Sequence, residues 1–211
     1  MFRNLFNPDN GLMITMSNLT DCIFLSLFWL LGCFPLVTVG ASTAALYDAV
    51  YRGMRRGDKH TWQRFFHAYK QNLKPGLLPS LGYLVVTGFS LWGGIQVWNG
   101  AVAGEISWMV FAGIAFLIFF LLGILSILFP LLSRFETTTA QLWSNTFRLG
   151  MGNLPMTLGL AVVNSLNMVL CVRFIVPLFF LPGVAALLSS FFIEPMLKPY
   201  MPQEEPVETE I

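Results

Sequence analysis

Charge is what this sequence has least of. Only 11% of its 211 residues are Asp, Glu, Lys or Arg, against roughly 25% in an average soluble domain. So few charges cannot coat a water-facing surface, which excludes an ordinary soluble globular protein. The formal net charge of +1 removes any global electrostatic case for nucleic acid as a partner. Soft metal ligands are as scarce. There are two histidines, His60 and His67, and three cysteines, Cys22, Cys33 and Cys171. None stands in Cys-x-x-Cys spacing, and the odd cysteine count argues against both a disulfide frame and a metal centre. Gly-x-Ser-x-Gly, His-Glu-x-x-His and a phosphate-binding Gly-rich loop are all missing. No enzyme and no cofactor is indicated.

What is present is long uncharged sequence, 55% hydrophobic, with 20 Phe and 6 Trp. A helix needs ~20 mostly apolar residues to cross a bilayer, and the chain offers such stretches near 19–39, 76–98, 106–131, 154–173 and 176–193. The last is short and broken by Pro177 and Pro182, which leaves a re-entrant or tilted segment open there. Backbone groups in lipid must bond internally, so these lengths mean helices. The expected fold class is all-α: a polytopic membrane protein of about five transmembrane helices, one domain over 1–198. The remainder, 199–211, is an acidic tail with Glu204, Glu205, Glu208 and Glu210, and its composition reads as disordered. Gly40-Ala41-Ser42 resembles a leader cleavage site, but Asp9 and Asp21 disfavour a signal peptide ahead of it.

Basic residues set an orientation. Seven of the twelve Lys and Arg lie between the first two spans: Arg52, Arg55, Arg56, Lys59, Arg64, Lys70 and Lys74. Arg134 and Arg148 follow the third span and Lys198 the fifth, whereas the loop after the second has none. The positive-inside rule puts these regions in the cytoplasm, which with five crossings leaves the N-terminus outside and the C-terminus inside. Between spans, three segments read as amphipathic cytoplasmic helices, near 43–56, 61–73 and 134–150. In the second, Trp62, Phe65, Phe66, Tyr69 and Leu73 make one apolar stripe, expected to lie in the interface beside anionic lipid. Arg52, Arg55, Arg56, Lys59, Trp62, Arg64, Phe65, Phe66, Tyr69 and Lys70 are therefore candidate contacts for membrane lipids or a partner. In the third, Ser133 with Glu136 fits a capping box.

Two motifs recur. Phe34-Pro35-Leu36 closes the first span and Phe129-Pro130-Leu131 the third. Asn72-Leu73 precedes the second and Asn153-Leu154 the fourth. The pattern suggests a parallel internal duplication, an arrangement common in transporters. Polar groups within spans are the default functional suspects: Asp21 at the mouth of the first, Asn164 and Asn167 sharing a face of the fourth, Arg173 at its end. They are candidates for a polar cavity or interface, with amides facing a hydroxylated solute. The plainer reading of the asparagines is interhelical hydrogen bonding, worth ~0.6 kcal/mol per contact.

The stretch from Asn18 through Phe34-Pro-Leu-Val-Thr-Val-Gly40 to Tyr47 resembles the opening of the YesL family of bacterial membrane proteins. The segments Phe65 to Leu73 and Phe129 to Leu131 are similar to later family features. Pro35 to Gly40 is the most specific element, and Ala41 stands where many relatives carry Pro. The family has no known biochemical function. Its members tend to be encoded beside carbohydrate ABC importers and polysaccharide-degrading enzymes. The resemblance therefore implies an accessory or regulatory role in oligosaccharide uptake, with an importer permease or ATPase as partner. The alternative is a stand-alone small-solute transporter or channel. Ala44 to Ala49 is also loosely similar to the coupling loop of ABC permeases, without its leading Glu.

Overall fold

The structure, a computed structural model, describes residues 11–55, 60–174 and 176–201. Arg56, Lys59 and the acidic residues from Glu204 onward lie outside the described residues. Eight α-helices carry the described chain, with no strand among them: α1 (Gly11–Gly32), α2 (Val39–Val50), α3 (Thr61–Val102), α4 (Trp108–Leu125), α5 (Leu128–Arg134), α6 (Thr139–Gly152), α7 (Leu154–Arg173) and α8 (Leu181–Leu197). Among the described residues, four helical segments are long and apolar enough to cross a membrane: Thr61–Val102, Trp108–Arg134, Leu154–Arg173 and Leu181–Tyr200. The protein is an all-α, polytopic membrane protein. The stretch left open by its prolines becomes a 3-10 turn, Val176–Phe179, followed by α8, in which Pro182 sits in the first turn, where its missing N–H costs nothing.

The first apolar stretch does not run to Val39 as one helix. It ends at Gly32, and Pro35 enforces the stop because it lacks the N–H that continuation needs. A tight turn follows, in which the Thr38 hydroxyl donates to the carbonyls of Gly32 and Pro35, both at 2.7 Å. The chain then reverses into α2, so α1 and α2 form a hairpin. Trp29 on α1 donates to Thr43 on α2 at 3.1 Å, and Cys22 meets Met54 at 3.7 Å.

Helix α2 is the largest departure from expectation. The sequence predicts an amphipathic surface segment over 43–56, yet ten of the twelve residues of α2 are buried. It is a central post, touched by α1, α3, α5 and α8. The physical reason lies in its composition, VGASTAALYDAV. Apart from Leu46, Tyr47 and Asp48 the residues are small or β-branched, so neighbouring backbones can approach it on every side. Gly76 of α3 packs so closely on Ala41 that an added Cβ would sit 3.3 Å from the Ala41 nitrogen. A buried helix also cannot serve as a coupling loop for an ATPase.

The second amphipathic segment and the second span are one helix. α3 has 42 residues, about 63 Å at 1.5 Å per residue. The face packed inward is Thr61, Phe65, Ala68, Asn72, Gly76 and Pro79, a helical period that overlaps the expected aromatic stripe only at Phe65. In the third amphipathic segment the helix starts at Thr139, not near 134. Ser133 still belongs to α5, its hydroxyl bonded to the Pro130 carbonyl. The backbone turns extended at Phe135, and the capping box is formed by Thr138 and Gln141. The repeated motifs share one detail. Asn72 and Asn153 each donate to the carbonyl four residues earlier, at 2.8 and 3.2 Å. The two Phe-Pro-Leu triplets differ, since Phe34 is 90% exposed in a turn whereas Phe129 is 3% exposed inside α5.

Candidate functional site

The polar heart of the molecule is an ionic cluster where α2, α3, α5 and α8 meet. Asp48, buried on α2, accepts Arg52 at 2.8 Å and faces Arg134 at 3.5 Å and Arg64 at 3.8 Å. The Arg134 side chain, only 9% exposed, reaches from α5 to Glu194 of α8 at 3.0 Å. Tyr47 donates to the same Glu194 oxygen at 2.9 Å. The Arg134 guanidinium lies over the Tyr51 ring at 4.2 Å, a cation–π contact that partly replaces lost hydration. Arg55 stacks on Phe191 at 4.4 Å and donates to the Ser190 carbonyl at 3.0 Å. Burial, and then the carboxylate of Glu194, push the Tyr47 phenol well above its ordinary range, so it stays protonated and remains a donor. One arginine thus bridges two acids on two helices, an arrangement suited to locking α2, α5 and α8 together.

Beside this cluster lies a cavity of about 340 Å³ bounded by all the long helices. Its wall is mostly apolar, with Trp29, Leu122, Phe129 and Met168, but Thr43, Ser126, Asn164, Asn167 and Ser189 also face it. Asn164 donates to the Leu160 carbonyl at 3.0 Å and approaches the Ser189 hydroxyl at 3.5 Å. The carbonyl of Asn167 accepts the Cys171 thiol at 3.1 Å.

Of the four residues expected to share a polar cavity, Asn164 and Asn167 meet there. Asp21 does not: midway along α1, it accepts a hydrogen bond from Thr61, the first residue of α3, at 3.4 Å. Arg173 is exposed at the end of α7 and does not line this cavity. The expected lipid or partner contacts also divide. Arg52, Arg55 and Arg64 are engaged in or beside the ionic cluster. Phe65 is 1% exposed, in the core with Leu25, Leu46 and Val50, and offers no contact surface. Tyr69 stacks on Phe65 and points at the Gly32 carbonyl. Trp62, Phe66 and Lys70 are exposed on α3. Among the described residues no group of three or more His, Cys, Asp or Glu converges on a metal position.

Residues 22–93 match the family model described as "Protein of unknown function, DUF624". The matched stretch covers α1 from Cys22, the turn, α2 and α3 as far as Gly93, and so includes Asp48, Arg52, Arg55 and Arg64. It leaves out Arg134, Glu194 and both asparagines of the cavity. No curated protein and no solved structure matches the chain.

Sequence alone does not single out Arg134 and Glu194 as one site, because 60 residues separate them and no local pattern announces such a pair. The usable signal is that both are ionisable residues at the ends of apolar segments, where an unpaired charge is costly.

Proposed function

We propose that this protein is a non-enzymatic accessory or regulatory component of carbohydrate uptake, working in the bacterial plasma membrane beside an ABC importer. The observation that carries this reading is a coincidence of segments. The family-model match over 22–93 takes in all but the first four residues of the stretch that resembles the YesL opening, Asn18 to Tyr47, and the later Phe65 to Leu73. These segments build the α1–α2–α3 unit. That unit presents Trp62, Phe66, His67, Lys70 and Lys74 outward along α3, an aromatic and basic face suited to anionic headgroups or to a partner's acidic surface. Affinity purification of the full chain from native membranes in mild detergent tests the reading. Recovery of an importer permease or ATPase at near-equal amounts is expected, and recovery of neither overturns it.

The geometry also favours a particular threading. The middle of α1 meets the segment that follows α2, Asp21 at Thr61 and Cys22 at Met54. The tip of the α1–α2 hairpin exposes Leu31, Phe34, Leu36 and Val37, while the turn's backbone groups are largely bonded internally, as lipid requires. A hairpin dipping into the cytoplasmic half of the bilayer, followed by four crossings, keeps the basic residues around α2 and the start of α3, Arg134, Arg148 and Lys198 inside and leaves Arg173 alone on the outer side. It places both termini in the cytoplasm, in place of the external N-terminus that five crossings demand.

A second reading, a stand-alone small-solute transporter or channel, is favoured by the amide-bearing cavity. Liposomes carrying the purified protein decide it: flux of a small sugar above empty vesicles supports that reading, and impermeability to all sugars tried defeats it.

A further inference from the structure

The cavity beside the ionic cluster has a neighbour. A second hollow of about 380 Å³ lies between the outer half of α3, α4 and α7, and Leu122 and Ser165 line both. The two differ in chemistry. The outer one is walled by Leu91, Ile95, Trp98, Phe111 and Ile118, and the Ser90 hydroxyl at its edge is already donated to the Val86 carbonyl at 2.7 Å. Leu91, Ile95 and Trp98 are themselves exposed on the outside of a membrane-spanning helix, so the hollow opens toward lipid chains rather than water. Gly94 in its floor leaves it deep: an added Cβ would touch only Ile118, at 3.4 Å.

The inner cavity has the complementary character. Thr43 and Ser126 donate their protons to the carbonyls of Val39 and Leu122, which leaves oxygen lone pairs as acceptors, one of those on Thr43 being taken by the Trp29 indole. Asn167 accepts from Cys171 through its carbonyl, and its amide nitrogen makes no hydrogen bond among the described residues. A wall offering both acceptors and a donor suits hydroxyl groups, which are both. Among the described residues no Asp, Glu, Lys, Arg or His lines either cavity. A charged headgroup would lie there without a counter-ion, which the low dielectric penalises heavily.

We propose that the two cavities form one lateral binding site for an uncharged membrane lipid with a hydroxylated head. The head occupies the inner cavity against Asn164, Asn167 and Ser126. The hydrocarbon lies in the outer hollow, and the chain passes between Leu122 and Ser165. Both volumes fall at the small end of ligand pockets, which run from ~300 to ~1,000 Å³, so the site takes one head and part of one chain. This assignment stands whether or not the chain serves sugar uptake.

Photolabelling of the full-length protein in bilayers tests it. Two probes carry the same diazirine-bearing acyl chain, one on a monoglycosyl diacylglycerol and one on phosphatidylglycerol. The neutral probe should label peptides around Ile95 and Ile118 at least about tenfold more than the anionic one. Asn167→Leu should lower that labelling roughly three- to tenfold, the worth of one or two hydrogen bonds. Gly94→Leu, which fills the hollow from its floor, should abolish it. Labelling elsewhere on the lipid-facing surface should be unchanged in both variants, which also reports that they are folded. Equal labelling by both probes, labelling indifferent to Asn167→Leu and Gly94→Leu, or crosslinks from the hollow to another polypeptide instead of lipid would each overturn the assignment.

Discussion

Replacing Arg134 with Met tests whether the ionic cluster holds the helices together. Met matches the length of the arginine stem and removes the guanidinium. The change leaves Glu194 with the Tyr47 hydroxyl as its one remaining partner among the described residues, in a side chain that is 12% exposed. Asp48 keeps Arg52 at 2.8 Å and Arg64 at 3.8 Å, so the damage falls mainly on the α5–α8 contact. Removing one member of a buried pair typically costs ~3–5 kcal/mol, most of it the stranded charge rather than the lost attraction. The stacking of the guanidinium on Tyr51 adds to the loss. The second half of the cycle separates these causes. Arg134→Met combined with Glu194→Leu strands no charge at Glu194, so the double variant should be more stable than Arg134→Met alone, with a coupling of ~1–3 kcal/mol. Unfolding in mixed micelles, followed by a reporter on α8, reads both quantities. Because the pair is buried, the cost should change little between low and high salt, whereas a surface pair would weaken over a Debye length of ~10 Å at 0.1 M. A stability change for Arg134→Met within about 0.5 kcal/mol, the range of a neutral surface substitution, would refute the reasoning.

Three further outcomes follow. Tyr47→Phe should cost ~1.5–3 kcal/mol, the worth of a hydrogen bond to a charged acceptor. Its wild-type contribution has a pH signature: the folded phenol titrates above its unfolded value, so the stability is complete below about pH 10 and is lost as pH rises beyond it. The variant should lack that part of the alkaline decline in an unfolding series. Gly123→Ala should destabilise by roughly 1–3 kcal/mol, because the new Cβ would lie 2.6 Å from the Thr157 carbonyl and 2.8 Å from the Ala161 Cβ. Gly88→Ala, where nothing lies within 4 Å, should instead gain about 0.5–1 kcal/mol of helix propensity; thermal melts in detergent compare the two. Cysteines placed at Lys70 and Glu105 in a Cys-free background should react with an impermeant maleimide from opposite faces of the membrane, and one introduced at the exposed Thr20 should share the face of Lys70. Labelling of Thr20 from the Glu105 side would defeat the hairpin threading.

The long spans are legible in sequence because lipid is an unforgiving solvent: about 20 mostly apolar residues without a charge match the ~30 Å of hydrocarbon that one helix must cross. Helix ends are legible where a single residue dictates them, but not where two candidates compete. Ser133 and Thr138 each have a capping partner three residues on, and only the extended backbone at Phe135 decides for Thr138. Helix α2 misleads for a different reason. Its flanking arginines, Arg52 and Arg55, suggest a polar face turned to water. Their bonds to Asp48 and Ser190 instead hold them along the protein while α2 itself is buried. Asn164 and Asn167 can be placed together because three residues along a helix fix a shared face. The bridge from Asp48 through Arg134 to Glu194 cannot, since its members stand 86 and 60 residues apart.

The burial of α2 also needs an account that does not rest on hydrophobicity, because lipid chains are as apolar as the core and give no drive for helices to associate. Two features supply it. Small residues allow contact distances that leucine-rich faces would forbid, as Gly40 does against Ser80 and Phe129. Serines on neighbouring helices then satisfy the N–H groups that every helix start leaves open. Ser80 of α3 accepts the Gly40 N–H at the start of α2, and Ser26 of α1 accepts the Gly183 N–H at the start of α8, each at 2.9 Å. Both serines are fully buried. In water such an N–H could be left to solvent, whereas at membrane depth it costs several kcal/mol if unmet. The two serines therefore fix where α2 and α8 can begin relative to α3 and α1. The ionic cluster fixes the same helices further along, at Asp48 and Glu194. Two polar attachments on each helix leave it one register, and that register sets the shape of the cavity wall contributed by Thr43, Tyr47 and Ser189.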